Sequence, residues 1–373
     1  MFEKLRVIEL ASVLAGPAVG QFFAELGAEV IKVENPASGG DVTRSWLSKG
    51  EQPKGTVSAY FSAVNWGKKS VLLNLKNETD RQQLYRLVAT ADLVIASYKP
   101  GDAEKLGVDY ESLSAINPKL IYGHITGYGP DDQRVGYDAV IQAESGFMSM
   151  NGEAERGPTK MPVALIDVLA AHHLKEGLLL ALIKRMSTGE GAYVPVSLLD
   201  AAVSSLANQA TNWLVGESVP GRKGNAHPNI APYGEVYMTA DAKEIILAVG
   251  SDKQFASLCQ VLGIVPGDEF ATNAKRVENR EGLVSLITEA IAKEHAESLL
   301  SALIEAKVPA GMVKSIDQVF ENGNTDWLLG DETIKGVRNM MALPRGWEKR
   351  DLTPPPQLGA HTKEVLKGAA GSQ

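Results

Sequence analysis

Short apolar runs alternate with helical patterns through the first 130 residues, and this alternation restricts the chain to a few folds. The first two runs, LRVIEL and AEVIKVE, flank a helical stretch that ends near Gly27, so the chain opens with a βαβ unit. Three further strand-like runs follow: KSVLLNL, ADLVIASY and KLIYGHITGYG. Because strands joined through helices run parallel, the sequence predicts an α/β fold whose Rossmann-like large domain contains a mainly parallel sheet.

The pattern changes after Pro162. A long helical stretch, PVALIDVLAAHHLKEGLLLALIKRMSTGEG, carries apolar residues on nearly every face and is expected to be buried. Residues 221–234 concentrate Gly, Pro and Asn, which is typical of a linker. We therefore predict a large domain over residues 1–220, rejoined by residues 320–373, and a small α+β domain over residues 235–315.

Charge and cysteine content exclude several classes of protein. The 373 residues carry a net charge of −8, which repels polyanions, so nucleic acid is not an expected partner. No uncharged apolar run approaches the roughly 18 to 20 residues of a membrane helix, which predicts a cytoplasmic protein with no membrane partner. Cys259, the single cysteine, lies in an apolar pattern that predicts a buried structural thiol.

Common cofactor and catalytic motifs do not fit this chain. Glu34 closes the second strand, where a dinucleotide-binding fold places its ribose-binding acid, but Gly16 and Gly20 are spaced G-x-x-x-G instead of G-x-G-x-x-G. The six histidines lack the spacing of metal ligands, and no G-x-S-x-G motif occurs. His172 and His173 fall within the long helical stretch, where we expect hydrogen-bonded core histidines.

Asp167 is an acidic residue inside the apolar stretch MPVALIDVLAAHHL, where the long helix is expected to begin. One interpretation is structural: aspartate is a favoured N-cap, contributing about 0.5 to 2 kcal/mol. The other is chemical, since an ionised and partly desolvated carboxylate can act as a nucleophile towards an acyl group. The two interpretations are compatible because the helix N-terminus also favours the ionised form.

Several motifs, in their order and spacing, resemble one enzyme family across nearly the whole chain. They are VIELASVLAGPAVGQFFAELGAEVIKVENP, GGDVTRSW, NWGKKSVLLNLK, GYGPDD, YDAVIQAESGFMSMNG, ALIDVLAAHHLKEGLLLALIKRMSTGEG, GNAHPNIAPY, VPAGMV and LGAHTKEVL. The family is that of the family III CoA-transferases, which includes formyl-CoA and carnitine CoA-transferases and the related α-methylacyl-CoA racemases.

This resemblance implies a mechanism and a set of binding residues. Asp167 falls on the family's catalytic aspartate, which attacks the acyl-CoA donor and then stores CoA as an aspartyl-CoA thioester before a small carboxylic acid accepts it. CoA is a substrate, and no cofactor or metal is implied. The family also implies an interlocked homodimer. The residues implied in CoA binding are Val13, Leu14, Ala15, Leu73, Lys76, Ser97, Tyr98, Lys99, Lys105, Leu106 and Tyr128.

Two other functions remain open from the sequence. A racemase needs a second acid/base on the opposite face of its substrate, and the racemases place a histidine where this chain has Tyr137 and a glutamate where it has Asp252. A tyrosine with a usual pKa near 10 is a poor base at neutral pH, and His124 and His227, which could substitute, lie outside the matching segment. The remaining alternative is a non-catalytic acyl-CoA-binding protein.

Overall fold

Each apolar run that alternates in the first 130 residues contributes a strand to one parallel sheet, as predicted. The computed structural model describes residues 2–321, 325–330 and 333–370. Six strands of these ranges form the sheet, in the order β3-β2-β1-β4-β5-β6. They are β1 (Arg6–Leu10), β2 (Glu29–Glu34), β3 (Lys68–Leu72), β4 (Leu93–Ala96), β5 (Ile121–Thr126) and β6 (Ala192–Ser197).

Shorter strands form two small antiparallel sheets. They are β7 (Tyr233–Met238), β8 (Glu244–Ala248) and β9 (Ala310–Met312) in one sheet, and β10 (Leu328–Gly330) and β11 (Lys335–Val337) in the other. The α-helices of the described residues are α1 (Ala15–Glu25), α2 (Ala59–Ser62), α3 (Glu78–Val88), α4 (Asp102–Leu106), α5 (Tyr110–Ile116), α6 (Asp138–Glu144), α7 (Phe147–Met150), α8 (Leu165–Thr188), α9 (Leu198–Ser204), α10 (Asn208–Leu214), α11 (Asp252–Leu262), α12 (Asn273–Glu278), α13 (Arg280–Ile291), α14 (Ala296–Glu305), α15 (Ile316–Glu321) and α16 (Thr362–Ala370).

The two faces of the parallel sheet differ in chemistry. Side chains alternate along a strand, so Ile8 and Leu10 of β1 face the apolar core beneath α3, together with Ile31 and Val71. The opposite face carries Glu9, which lies directly across from Lys32 of β2. One face is therefore a conventional apolar core, and the other contains buried charges.

The chain divides into two compact units. The first comprises Met1–Ser145, Met161–Ala207 and Asn324–Gln373 and contains the parallel sheet; the second comprises Gly146–Lys160 and Asn208–Gly323. Residues 208–220, which the sequence analysis assigned to the large domain, and residues 146–160 thus group with the second unit. Hydrogen bonds link residues 146–160 to this unit, because Gly224 N donates to Gly152 O and Arg222 Nη1 donates to Ser149 O.

The core of the second unit packs its helices against β7, β8 and β9. Cys259 lies in this core and is buried, as predicted. In the first unit, the C-terminal segment returns to the sheet, where His361 N donates to Ser70 O and Thr362 Oγ1 accepts from Leu72 N. No helix in the described ranges combines the length and apolar character of a membrane span.

The expectation of a fully buried long helix is wrong for the C-terminal half of α8. Leu180, Ile183 and Met186 are 68%, 65% and 71% exposed, because apolar residues surround the helix while α1, α9 and the sheet cover only one side of it. His172 lies on the uncovered side and is exposed, so the expectation of a core histidine is wrong for this residue. His173 is half-buried and lies within hydrogen-bond distance of Ser204.

Candidate active site

A crevice is expected where β1 and β4 lie side by side in the sheet. The chain leaves β1 towards β2 on one side and leaves β4 towards β5 on the other, so the connections diverge at the carboxyl ends of these strands. Open α/β sheets bind their ligands at such a switch point. Residues 12–16 follow β1 and residues 97–99 follow β4, and both segments contribute to a cavity at this position.

The cavity has a volume of about 210 Å³. Residues 125–127 at the end of β5 and residues 134–138 before α6 also line it, together with Leu198. Asp167, in the first turn of α8, contributes its side chain. The cavity therefore combines two acidic helix residues, Asp138 and Asp167, with residues that follow the ends of three parallel strands.

Asp167 is not the N-cap of α8, so the structural interpretation of this residue is wrong. Ala164 occupies the cap position, and Ile166 N donates to Asp138 Oδ1 at 2.7 Å instead of to a side chain of its own helix. Asp138, which is distant in sequence, accepts from the first turn of the helix, so the Asp167 carboxylate takes no part in capping. None of the described residues donates a hydrogen bond to it.

Burial raises the pKa of Asp167 to about 7, and the nearby Asp138 carboxylate adds to the effect. Asp138 is itself held in place, because its Oδ1 accepts from Ile166 N and its Oδ2 accepts from Gln142 Nε2 at 2.6 Å. The Tyr60 hydroxyl also lies in this electrostatic environment, since burial and then Asp167 raise its pKa. Neither Asp138 nor Tyr60 is predicted as a site residue from the sequence. The position of Asp138 at the start of α6 is the signal that could have identified it.

The segment after β1 has an unusual backbone. Val13 has a φ of 72°, in the left-handed region that β-branched residues avoid. Leu14, at the N-cap of α1, makes no side-chain hydrogen bond to the helix. Val13 N donates to Asp41 Oδ1 at 3.3 Å, and Ser12 N donates to Ser97 Oγ at 3.4 Å, so this turn is linked to the segment after β4.

Seven of the predicted site residues lie together, and five do not line the cavity. Asp167 shares the cavity with Val13, Leu14, Ala15, Ser97, Tyr98 and Lys99. Leu73 is packed in the apolar core, and Leu106 is half-buried against the same core. Lys76 is exposed, and Lys105 is exposed with its ammonium near Asp102. Tyr128 is half-buried, with the Arg134 guanidinium 3.7 Å above its ring.

The structure gives Glu34 and the two glycines a structural role. Both carboxylate oxygens of Glu34 receive hydrogen bonds from the buried Arg44, so this acid is already engaged and is not presented to a ribose. A Cβ at Gly16 would collide with Ala11, and one at Gly20 would collide with the Glu9 carboxylate. The G-x-x-x-G spacing thus allows α1 to approach the charged face of the sheet. No group of metal-ligating side chains occurs among the described residues.

The residues that could act as the second acid/base of a racemase already make hydrogen bonds or ion pairs, or are poorly suited to be a base. Nε2 of the buried His124 lies 2.8 Å from Tyr98 O, which can only accept, so Nε2 carries the proton and Nδ1 accepts from the Tyr193 hydroxyl at 2.8 Å. His227 accepts from Asn229 N, and Asp252 is paired with Arg276. Tyr137 lines the cavity and is exposed.

Comparisons with known proteins give a consistent result. The family model described as CoA-transferase family III matches residues 2–362. Succinate–glutarate CoA-transferase of Agrobacterium fabrum is 42% identical, over 97% of this chain and 94% of that protein. Succinyl-CoA:glutarate CoA-transferase of Homo sapiens is 34% identical, over 98% of this chain and 85% of that protein. The crystal structure of a CaiB/BaiF family protein from Brucella suis gives a TM-score of 0.86 at 38% identity, covering 99% of both chains.

Proposed function

This chain belongs to CoA-transferase family III, and we propose that it moves CoA from a dicarboxylic acyl-CoA to a second small carboxylic acid through covalent Asp167. Two of its relatives are named for succinate or succinyl-CoA together with glutarate, and they cover nearly the whole chain. Succinyl-CoA is therefore the proposed donor, and glutarate is the first acceptor to test.

The unpaired Asp167 carboxylate is the observation that carries this proposal. A buried acid is usually stabilised by hydrogen bonds or by a cation, because leaving it unpaired costs free energy. Asp167 has neither within the described ranges, and burial and Asp138 raise its pKa to about 7. A weakly solvated carboxylate that is ionised in a substantial fraction of molecules at neutral pH is suited to nucleophilic attack.

The proposed reaction proceeds through exchange of acyl and thioester bonds. An Asp167 oxygen attacks the thioester carbonyl, the C–S bond breaks, and CoA leaves as a thiolate, giving a mixed anhydride. The thiolate then attacks the Asp167 carbonyl, which releases the donor acid and forms the aspartyl-CoA thioester. The acceptor carboxylate attacks this thioester and expels the thiolate, which attacks the acceptor carbonyl of the second anhydride and frees Asp167. Water must be kept out, since it would hydrolyse either intermediate.

CoA is proposed to bind at the switch point of the sheet. Residues 13–15 and 97–99 would contact the end of CoA nearest the thioester, because they share the cavity with Asp167. The proposed sites at Leu73, Lys76, Lys105, Leu106 and Tyr128 would serve the more distant parts of CoA, where lysines favour phosphate groups. No further cofactor is required by this chemistry.

The exposed apolar face of α8 supports a second part of the proposal, that the protein is a homodimer. Leu180, Ile183 and Met186 lie at helical spacing and are more than 60% exposed in the single chain. Apolar patches of this kind usually mark association surfaces. Sedimentation at micromolar concentration should give the dimer mass, and a monomer would contradict this part of the proposal.

Trapping of the intermediate tests the proposed function directly. The protein is incubated with succinyl-CoA and then with hydroxylamine or borohydride, and the Asp167 peptide should be modified. Labelled glutarate should become glutaryl-CoA in the same preparation, and D167A should abolish both results. A non-catalytic acyl-CoA-binding protein would instead bind CoA without exchanging label. Full transfer by D167A would exclude the mechanism.

A racemase is distinguished by exchange of the α-hydrogen. The engaged ring nitrogens of His124 leave no free imidazole base at that position, and it does not line the Asp167 cavity. A 2-methylacyl-CoA in deuterated water should therefore take up no deuterium under conditions where CoA transfer is readily seen. Rapid uptake in the absence of any acid would favour the racemase.

A further inference from the structure

Four buried charges lie beneath α1 on the sheet. Glu9, Lys32, Asp41 and Lys68, here named the charge cluster, are each at most 4% exposed. Lys32 Nζ lies 2.9 Å from Glu9 Oε1 and 2.8 Å from Asp41 Oδ2, and Lys68 Nζ lies 2.7 Å from Glu9 Oε2. The charges balance, with two acids and two lysines forming one connected network.

Each end of this network also binds backbone of the segment that lines the Asp167 cavity. Lys32 Nζ donates to Ala11 O at 2.8 Å, Val13 N donates to Asp41 Oδ1 at 3.3 Å, and Lys68 Nζ donates to Pro17 O at 2.8 Å. Residues 11–17, here named the Val13 turn, are therefore held at their beginning, middle and end by the charge cluster.

The Val13 turn requires such support. A valine with a φ of 72° is strained, and such conformations persist only where surrounding contacts determine them. Glycine would adopt this conformation without the steric cost, yet the chain has valine here. The charge cluster supplies three contacts to this turn, and Ser12 N adds a fourth by donating to Ser97 Oγ.

We propose that Asp41 and Lys32 are positioning residues that hold the Val13 turn in its strained conformation and thereby shape the CoA-binding side of the Asp167 cavity. This inference rests on the proposed function, because it assumes that CoA occupies the cavity. Neither residue touches the reacting atoms. Their effect passes through the backbone of Val13, Leu14 and Ala15.

The strain itself provides the test, because glycine at position 13 removes the need for support. D41A takes away the acceptor for Val13 N, and we expect it to weaken CoA binding and raise the KM for acyl-CoA about tenfold, with kcat changed less than about threefold. The double variant V13G/D41A should recover most of the lost CoA affinity, although its unfolding midpoint stays as low as that of D41A. D41N keeps an oxygen at this position and should bind CoA better than D41A.

A matched control separates positioning from general destabilisation. Arg185 donates to Asp92 O and pairs with Asp92 Oδ1, in a half-buried ion pair before the amino end of β4, away from the Val13 turn. R185M should lower the unfolding midpoint and leave the Kd for CoA unchanged. The proposal is overturned if V13G/D41A binds CoA as weakly as D41A, or if R185M weakens binding equally.

Two further measurements keep the test decisive. If D41A does not fold, K32M and V13G/K32M replace it, since Lys32 holds the start of the same turn. The Kd for CoA is measured by calorimetry and needs no acid substrate. A failure of every acid to accept CoA would therefore contradict the proposed function, while the glycine rescue would still decide the role of the charge cluster.

Discussion

Asp41 is buried and Asp167 is half-buried in the first unit, and the partners of the two carboxylates differ. Burial alone would raise the pKa of Asp41, but the Lys32 ammonium and hydrogen bonds from Thr43 hold it below its usual range. Burial raises the pKa of Asp167 to about 7, and within the described part of the chain the charge that adds to this effect is a second carboxylate, Asp138. The partners of a buried acid, more than its burial, decide whether it is structural or reactive.

The same contrast extends to the elements that carry the acids. Three members of the charge cluster lie on neighbouring strands, where the alternation of side chains places Glu9 opposite Lys32, and the fourth, Asp41, lies in the loop after β2 and pairs with Lys32. Asp167 stands in the first turn of a helix in which Asp138 accepts from one of the first N–H groups, that of Ile166. The fold thus pairs the charges of the cluster, whereas no hydrogen-bond donor among the described residues reaches the Asp167 carboxylate.

Replacing Asp167 should produce the largest effect. Activity should fall, whereas stability at alkaline pH should rise. D167N is expected to lose CoA transfer by at least about 10⁴-fold. Because the folded pKa lies above the usual 3.8, wild-type stability from this group is full below pH 4 and is lost as the pH rises through 7. D167N should therefore be more stable than wild type at pH 8, by roughly 1 to 4 kcal/mol, and equal to it near pH 4.

Chemical denaturation at the two pH values measures this difference. Equal stabilities at pH 8 would show that Asp167 is not strained by its surroundings, and the contrast with Asp41 would fail.

Disrupting the charge cluster should have the next largest effect, and here stability and activity should both decrease. K32M leaves Glu9 and Asp41 without their shared cation, and removing one partner of a buried ion pair costs about 3 to 5 kcal/mol. Lys69, on the same strand as Lys68, is the matched control, because its two ion pairs are partly exposed. K69M should lower the free energy of unfolding by less than about 1 kcal/mol. Similar losses in the two variants would contradict the distinction.

The neighbouring carboxylate should have a moderate effect, visible in the pH profile. D138N removes the negative charge beside Asp167, so the acidic limb of kcat/KM should move to lower pH. The pKa that this limb reports should stay above the usual range of aspartate, because burial is the larger cause of the raised pKa of Asp167. Activity at pH 5.5, relative to the plateau, should rise by a factor of up to about ten. A profile identical to that of wild type would remove Asp138 from the explanation.

Disrupting the exposed ion pair between Lys105 and Asp102 should have the smallest effect, and this effect should be detected only in the presence of substrate. Lys105 is 76% exposed and lies 3.1 Å from Asp102, so K105Q should leave the unfolding midpoint unchanged. If Lys105 binds a CoA phosphate, the KM for acyl-CoA should rise roughly two- to fivefold at low ionic strength and less in about 0.5 M salt. A rise that is independent of salt would argue against a phosphate contact.

The sequence predicts the sheet well because strand alternation is a local signal. All five apolar runs of the first 130 residues become parallel strands. The capping of α8 was not predictable in the same way, since Ile166 and Asp138 lie 28 residues apart. The charge cluster has a detectable sequence signal, because Glu9 and Lys32 interrupt otherwise apolar runs of β1 and β2. The exposed half of α8 could not be predicted, because apolar periodicity does not say what covers a face.

Gly20 of α1, which lies over the charge cluster, has a consequence for anyone who wishes to make this protein more heat-resistant. Replacing a helical glycine by alanine is a standard improvement, which commonly adds about 0.5 to 1 kcal/mol. At Gly20 the added methyl group would enter the space of the Glu9 carboxylate, so the usual substitution should destabilise the protein. A library design that scores helix propensity alone would choose this position and would disrupt the charge cluster, on which the proposed CoA site is inferred to depend.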